Sequence, residues 1–434
     1  MRRGDTLPFA PTHLDLDGRG VAEVEGRALH VPDLFVGERA IVEVAHVAKG
    51  GPVAHGTIQE RLRKHPARRA LPCPRHAGRG GDARCTGCPL MALGEEAQRA
   101  QKVAMLRALG LEVDAVREAS APLGYRWSSK RVAFGGPGRL RLGSFVRGSH
   151  APADMRGCDV DHPRIAAAAD ELAAKARELH LPAWDERRGE GVLRYVWLKT
   201  DGEEVLVTLV TASADEAPVR RLAERLEEPA GVCWAVQGGA GNAMRGEAPR
   251  VLKGRGALRV ALLGGEVEVG PLGFLQPNPR AIARVYEDLL GDEGGAPLAG
   301  GRAFDLYAGA GLTTRALRGR FESVLACEAY PESARALGVE PETAEAFLAR
   351  QGEGGAGAPE LVLANPPRKG LGPKVTAQLA ALGAPRVQIM SCGPKGLRRD
   401  LDALEAAGYR LAALHAWDTL PQTPHVELVA KLVR

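Results

Sequence analysis

The chain has 434 residues, 45% of them hydrophobic and 26% charged, with a net charge of +5. That length predicts two or three domains rather than one core, and the composition excludes a disordered chain. No apolar run approaches ~20 residues and the start, "MRRGDTLPFAPTHLDLD", has no apolar stretch, so neither a membrane span nor a secretory leader is expected.

Residues 14–60 carry short strand patterns, "LDLDG", "GVAEVEG", "RALHVPDLF", "ERAIVEVAHVA" and "VAHGTIQERL", with turns at "DG" and "EG". They predict a compact barrel of about five strands, of an OB-like kind that often binds RNA. Residues 61–84 then hold eight Lys or Arg against one acid, Asp82. Such a run suits a phosphate backbone and equally suits a solvated linker. "GEEAQRAQKVAMLRALG" predicts a helix that stops near Gly110. Between about 125 and 270 the pattern is mixed, with a helix in "DHPRIAAAADELAAKARELH" and a hairpin in "GVLRYVWLKTDGEEVLVTLVT" that turns at Asp201-Gly202.

From "PRAIARVYEDLL" onward helices and strands alternate. The strands are "RAFDLY", "SVLACE", "ELVLAN", "RVQIMS", "YRLAALHAW" and "HVELVAKLVR"; the further helices are "LTTRALRG" and "KGLRRDLDALEAAG". Buried strands, Gly-rich turns and intervening helices predict a doubly wound α/β sheet. "QGEGGAGAPE", residues 351–360, predicts a flexible surface loop.

Several residues in this last part could carry chemistry. In "FDLYAGAGLTTRAL", Asp305 ends a strand, and Gly309 and Gly311 would let the backbone approach a ligand. Glu328 ends the next strand 23 residues after Asp305, placed to accept hydrogen bonds from ribose hydroxyls. Thr314 occupies the third glycine place, so the turn does not choose between a dinucleotide and S-adenosylmethionine. "LVLANPPRKG" tips the choice, because amino-group methyltransferases place Asn-Pro-Pro beside their methyl donor. There an aromatic residue normally follows the prolines, and here the follower is Arg368. Cys392 ends a buried strand just before a helix whose positive end would favour the thiolate, although an apolar strand cysteine is usually inert. Glu427, taken alone, is an exposed strand-end charge.

Seven cysteines suit a reducing cytoplasm, where clustered spacing points to metal or catalysis. Cys73, the C-x-x-C pair Cys85 and Cys88, and the distant Cys158 form one constellation. A structural zinc site more often shows two C-x-x-C pairs.

Taken together and in order, "DGRGVAEVEGRALHVPDLFVGERAIVEV", "GFLQPN", "FDLYAGAG", "ANPPRKG", "SCGP" and "PHVE" resemble the successive motifs of the RNA (uracil-5-)-methyltransferases. The resemblance covers nearly the whole chain. It implies a multidomain protein: an N-terminal TRAM β-barrel over 1–64, a central α+β domain with the cysteines over 65–268, and a C-terminal Rossmann-like class I methyltransferase domain over 269–434. It further implies S-adenosyl-L-methionine bound by Gln276, Asp305, Tyr307, Gly309, Gly311, Glu328 and Asn365, and a flipped uracil met by Phe274, Gln276 and Asn365. Cys392 would be the nucleophile and Glu427 the base that removes the C5 proton. Cys73, Cys85, Cys88 and Cys158 would hold a [4Fe-4S] cluster, with zinc the alternative.

TRAM plus four cysteines fits the 23S rRNA enzymes better than the bacterial tRNA branch, so a cytoplasmic monomer acting on 23S rRNA is expected, with no membrane partner. The alternatives are a tRNA uridine-5 methyltransferase and an RNA-binding iron-sulfur relative with little catalysis. The chain departs from the family pattern at Ala308, where a cysteine is frequent, at Asn365, where Asp is usual, and at Thr343, where an Asp commonly lies near the adenine.

Overall fold

The computed structural model describes every residue except 50, 240, 242 and 354–356. The chain opens with β1 (Thr6–Phe9), β2 (His13–Leu14), β3 (Gly20–Val24), β4 (Arg27–Val31), β5 (Arg39–Val47) and β6 (Val53–Arg63), in the sheet order β1-β5-β6-β4-β3-β2. Period-two alternation turns Phe9, Leu29, Val31, Val42 and Ala54 onto one small core with Leu34. Six strands take part rather than about five. Among the described residues no pairing joins β1 to β2, so hydrogen bonding does not close the expected barrel.

The basic run of residues 61–84, which begins inside β6, is not a free cationic surface. Arg61 and Arg68 both grip Asp33 and the fully buried Glu38, and Arg69 pairs with Glu95. A carboxylate as enclosed as Glu38 is tolerable only with such partners, so these cations are held for structure. Arg63, Lys64, Arg79 and Arg84 stay exposed.

Next come α1 (Glu95–Arg107) and β7 (Val116–Glu118), then a central sheet of β8 (Ser128–Phe134), β9 (Arg141–Phe145), β10 (Pro152–Asp154), β11 (Leu193–Thr200), β12 (Val205–Thr211), β13 (Gly231–Val236) and β14 (Glu247–Gly254). Its order is β10-β9-β8-β11-β12-β13-β14, with β12 and β13 parallel and the other neighbours antiparallel. The expected hairpin is present, with Thr200 opposite Val205 and residues 201–204 as its loop. Helices α2 (Pro163–Glu178) and α3 (Ala217–Arg225) cover one face, where Val196 and Leu198 point. Tyr195 and Trp197 point to the other face, against Leu272. A hairpin of β15 (Leu258–Leu262) and β16 (Gly265–Val269) leads into that 270–278 segment.

The C-terminal part contains α4 (Pro279–Leu289), β17 (Gly300–Leu306), α5 (Leu312–Arg318), β18 (Phe321–Cys327), α6 (Pro331–Leu337), α7 (Ala344–Glu353), β19 (Leu361–Ala364), α8 (Pro373–Leu382), β20 (Arg386–Ser391), α9 (Pro394–Ala406), β21 (Arg410–Asp418) and β22 (Glu427–Val433). The sheet order is β18-β17-β19-β20-β22-β21-β7. β18, β17, β19 and β20 run parallel, and β22 is antiparallel to both its neighbours. α1, α7, α8 and α9 line one face and α4 and α5 the other, the doubly wound arrangement that leaves a crevice at the carboxyl ends where strand order reverses. Between β18 and β19 the described residues form helices and no strand. The loop expected over 351–360 lies partly outside the described residues, at 354–356, and its first residues finish α7.

Within residues 65–268, expected as a central domain, α1 and β7 pack with the C-terminal part. Met105 and Leu106 of α1 and Val116 of β7 join the C-terminal core, and β7 pairs with β21 at the edge of the C-terminal sheet. The reason lies in the buried polar face of α1. Lys102 Nζ donates to Asp418 Oδ1 at 2.5 Å and to the His425 carbonyl at 3.1 Å. Gln98 exchanges hydrogen bonds with Gln422, while Gln101 does the same with the Val36 backbone. Among the described residues no helix is long and apolar enough to cross a membrane.

Candidate active site

Five chain ends meet at the carboxyl edge of the C-terminal sheet. β17 delivers Asp305 and Tyr307, β18 delivers Glu328, β19 delivers Asn365, and β20 delivers Cys392. β22 starts at this same edge because it runs the other way. Its register pairs Ser391 with Leu428, so one further step opposes Cys392 and Glu427. An ordinary-looking strand-end acid therefore faces the cysteine.

The turn after β17 is built for close approach. Tyr307 adopts φ 58°, a left-handed conformation uncommon for so bulky a residue, and Gly309 and Gly311 have φ 58° and 83°. A Cβ at Gly311 would lie 2.5 Å from Leu337 Cδ1, whereas one at Gly309 would meet nothing within 4 Å. Asp305 is buried; its Oδ2 accepts from Thr313 and Thr314 at 2.7 and 2.5 Å, while its Oδ1 has no hydrogen-bond partner among the described residues. Burial, aided by the Glu328 charge, pushes its pKa up to about 6. Thr314 thus orients the aspartate from the place a third glycine would fill. Glu328 accepts from the Gly309 and Tyr330 N–H groups at 2.9 and 2.7 Å, retaining lone pairs for hydroxyls. Thr343 caps α7, accepting from the Ala346 N–H at 3.2 Å.

The "NPPRKG" loop is clamped to the start of α9. A Cβ at Gly393 would sit 2.1 Å from the Arg368 carbonyl oxygen, and one at Gly396 2.9 Å from it. Asp400 receives the Leu371 and Gly372 N–H groups at 2.7 and 3.1 Å. This apposition brings the Arg368 guanidinium to Cys392, Glu427 and His425. Burial pushes Glu427 up to about 8 against the pull of Arg368. The Cys392 thiol is also pushed up, by burial and the Glu427 charge, with Arg368 again opposing. The expected preference of Cys392 for its thiolate at a helix start is therefore outweighed. His425 is driven down to about 4 by burial and by Arg368, Lys102, Arg147 and Arg126.

Tyr286 of α4 ties Gln276 into the same site. Burial first, then the charges of Glu427 and Asp305, push its hydroxyl up to about 12, while a hydrogen bond with Gln276 opposes. α4 is set by Asn278, which caps it by accepting from the Ala281 N–H at 3.2 Å and donates to the Thr419 carbonyl at 2.8 Å. Phe274 stands apart, 76% exposed. In the sequence, Arg368 stands out without a role, and Tyr286 and His425 do not stand out. The arginine after the prolines was the available signal for the first; the other two look like an ordinary helix aromatic and a loop histidine.

Cys73, Cys88 and Cys158 pack with Met91, Tyr125, Val160 and Leu420 in a separate pocket. Burial drives the Cys88 thiol above its ordinary range and Cys158 up to about 12. As placed, no group of three or more His, Cys, Asp or Glu among the described residues is drawn in closely enough to hold a metal ion.

No established family profile matches the chain. An RNA methyltransferase of Geobacter sulfurreducens is 30% identical over 471 residues, covering 100% of this chain and 91% of that protein. Another, from a Nostoc species, is 27% identical, covering 99% and 97%. Among solved structures, the Pyrococcus abyssi tRNA (uracil-54, C5)-methyltransferase in complex with S-adenosyl-L-homocysteine superposes with a TM-score of 0.75 at 24% identity. It covers 98% of this chain and 100% of that one, so the two share a fold.

Proposed function

Because the chain belongs to the RNA methyltransferase family, and so transfers a methyl group from S-adenosylmethionine to RNA, we propose that its target is C5 of a uridine. The observation carrying this reading is the opposition of Cys392 and Glu427 across β20 and β22 at the mouth of the donor crevice. Methylation of an amine needs neither a nucleophile nor a base on carbon, and it would leave both groups idle.

C5 of uracil is too weak a nucleophile to take a methyl group directly. The Cys392 thiolate adds to C6, forming an S–C bond and moving the C5=C6 electron pair toward O4 as an enolate. S-adenosylmethionine, when bound, supplies the electrophilic methyl that C5 takes up. The Glu427 carboxylate then removes the C5 proton, and the returning electron pair expels the thiolate and restores the double bond. Asn365 accepts from N3–H through its side-chain oxygen and donates to O4 through its amide, which stabilises the enolate oxygen. Gln276 holds the extruded base, and the exposed Phe274 offers a ring for stacking.

Three features around the crevice support the donor reading: Asp305 Oδ1 is a buried acceptor with no partner among the described residues, the Gly309 side of the turn is open, and Glu328 keeps lone pairs that would accept from hydroxyls. Cys73, Cys88 and Cys158, which share one pocket, together with Cys85 of the same C-x-x-C pair as Cys88, would hold a [4Fe-4S] cluster as soft thiolate donors. Bound there, it would supply a structural cross-link. 23S rRNA is the favoured RNA and the working unit a monomer, with the remaining exposed arginines of 61–84 and the N-terminal sheet as the RNA grip.

RNA containing 5-fluorouridine tests the mechanism, since fluorine at C5 cannot leave as a proton. With S-adenosylmethionine present, 23S rRNA and tRNA transcripts are compared. The native chain should form a denaturation-resistant adduct, preferentially with 23S rRNA. Cys392→Ala should form none, and Glu427→Gln should accumulate adduct even on ordinary RNA. Normal uridine methylation by Cys392→Ala would reject the nucleophile.

A further inference from the structure

We infer that Arg245 is a positioning residue that joins the loop carrying Phe274 and Gln276 to the segment following Glu328, so that methyl-donor and RNA binding reinforce each other. This rests on the reading above, in which the first segment faces the base and the second the donor. Arg245 Nη1 donates to the Leu272 carbonyl at 3.1 Å. Its Nη2 donates to the Tyr330 hydroxyl and lies 3.4 Å from Glu332 Oε2. The guanidinium is also 5.2 Å from the centre of the Tyr330 ring. Tyr330 in turn donates its backbone N–H to Glu328 Oε1 at 2.7 Å, and Glu328 Oε2 receives the Gly309 N–H at 2.9 Å. A short chain of polar contacts therefore runs from the base-facing loop to the glycine turn.

The loop end of this chain is firmly held. The Gly270 and Pro271 carbonyls receive Lys199 Nζ at 2.6 and 2.9 Å, and Thr208 Oγ1 donates to the Pro271 carbonyl at 3.0 Å. Both donors belong to the central sheet, and Leu272 packs beside Trp197 on its face. Arg245, just before β14 in that sheet, carries this anchorage across to the donor side. Its planar fork suits two acceptors at once, where a lysine would satisfy one. A donor that orders Glu328 to Glu332 therefore also orders Arg245 and Leu272. RNA that seats its base against 274–276 orders the same bridge from the other end, and the second ligand no longer bears that ordering cost.

Equilibrium dialysis of labelled S-adenosylhomocysteine tests this, with and without saturating amounts of whichever transcript forms the 5-fluorouridine adduct. For the native chain, RNA should tighten binding by at least about fivefold. In Arg245→Ala the RNA effect should fall to within about twofold, while affinity in the absence of RNA changes less than the coupling does. Tyr330→Phe keeps the ring, removes the hydroxyl acceptor, and should lose part of the effect; it decides the matter should Arg245→Ala fail to fold. Full coupling retained in both variants overturns the inference, as does its absence from the native chain. Failure of the native chain to bind S-adenosylhomocysteine would overturn the parent reading and this inference together, whereas binding without coupling overturns only the latter.

Discussion

In the proposed mechanism Glu427 and Cys392 share a difficulty: each must be ionised when it acts, and each sits where ionisation is resisted. Burial lifts both, and Arg368 is the cation opposing that lift at both. If the chemistry limits turnover, the single-turnover rate should climb with pH through about 8, the value to which Glu427 is pushed. Arg368→Ala should move that climb to higher pH and slow the reaction at pH 7 by about tenfold or more, with Arg368→Lys intermediate. A profile unchanged by Arg368→Ala would remove the arginine from the account. The same shift acts on stability. Because folding raises the Glu427 pKa, its contribution is complete below the ordinary carboxylate value and drains away as pH rises through about 8. Glu427→Gln, neutral throughout, should therefore gain in melting temperature relative to the native chain between pH 5 and pH 9.

At the scale of elements, the active edge depends on two loops pressed together, "NPPRKG" and the start of α9. Gly393 has φ −117°, which any residue adopts, so its requirement is one of space: an added methyl would sit 2.1 Å from the Arg368 carbonyl oxygen. Gly393→Ala must push the loop away, at a cost of about 1–3 kcal/mol. The chain should remain folded by circular dichroism and keep donor binding within a few-fold, yet lose about a hundredfold or more in methylation, because Arg368 and Asn365 move together. Near-native activity would mean that this contact does not position them. α6 and α7 illustrate the complementary point. Between Glu328 and β19 the described residues form helices and no strand, and Thr343 caps α7.

Across the whole molecule, the cysteine pocket lies where three parts meet. Leu420 packs into it, Tyr125 donates its hydroxyl to the Pro421 carbonyl at 2.8 Å, and the Leu90 N–H donates to the Gln422 carbonyl at 3.0 Å. The same segment, 418–425, is held by Lys102 and runs directly into Glu427. Burial raises the pKa values of Cys73, Cys88 and Cys158, which makes them costly to hold as free thiolates, and the proposed cluster would offset that cost. Anaerobically purified protein should accordingly be brown and absorb near ~400 nm. Cys88→Ser should be colourless, melt several degrees lower, and form the 5-fluorouridine adduct in lower yield. Colourless native protein carrying stoichiometric zinc would reject the cluster.

The sequence by itself determined what is local and repetitive. Strand and helix periodicity laid out the C-terminal sheet, the Asp201-Gly202 hairpin and the ordered motifs, because alternation and turn chemistry act over a few residues. It also singled out Asp305, Glu328, Asn365, Cys392 and Glu427 as ends of separate segments. Only the tertiary structure decided that α1 and β7 belong with the C-terminal sheet, that Arg61 and Arg68 serve Glu38 rather than a free basic face, and that Arg368, Tyr286 and His425 gather around the cysteine and the glutamate. Those outcomes depend on burial and on partners hundreds of residues away, such as Lys102 with Asp418. No local pattern encodes the loss of water around a carboxylate, and that loss sets the chemistry of this site.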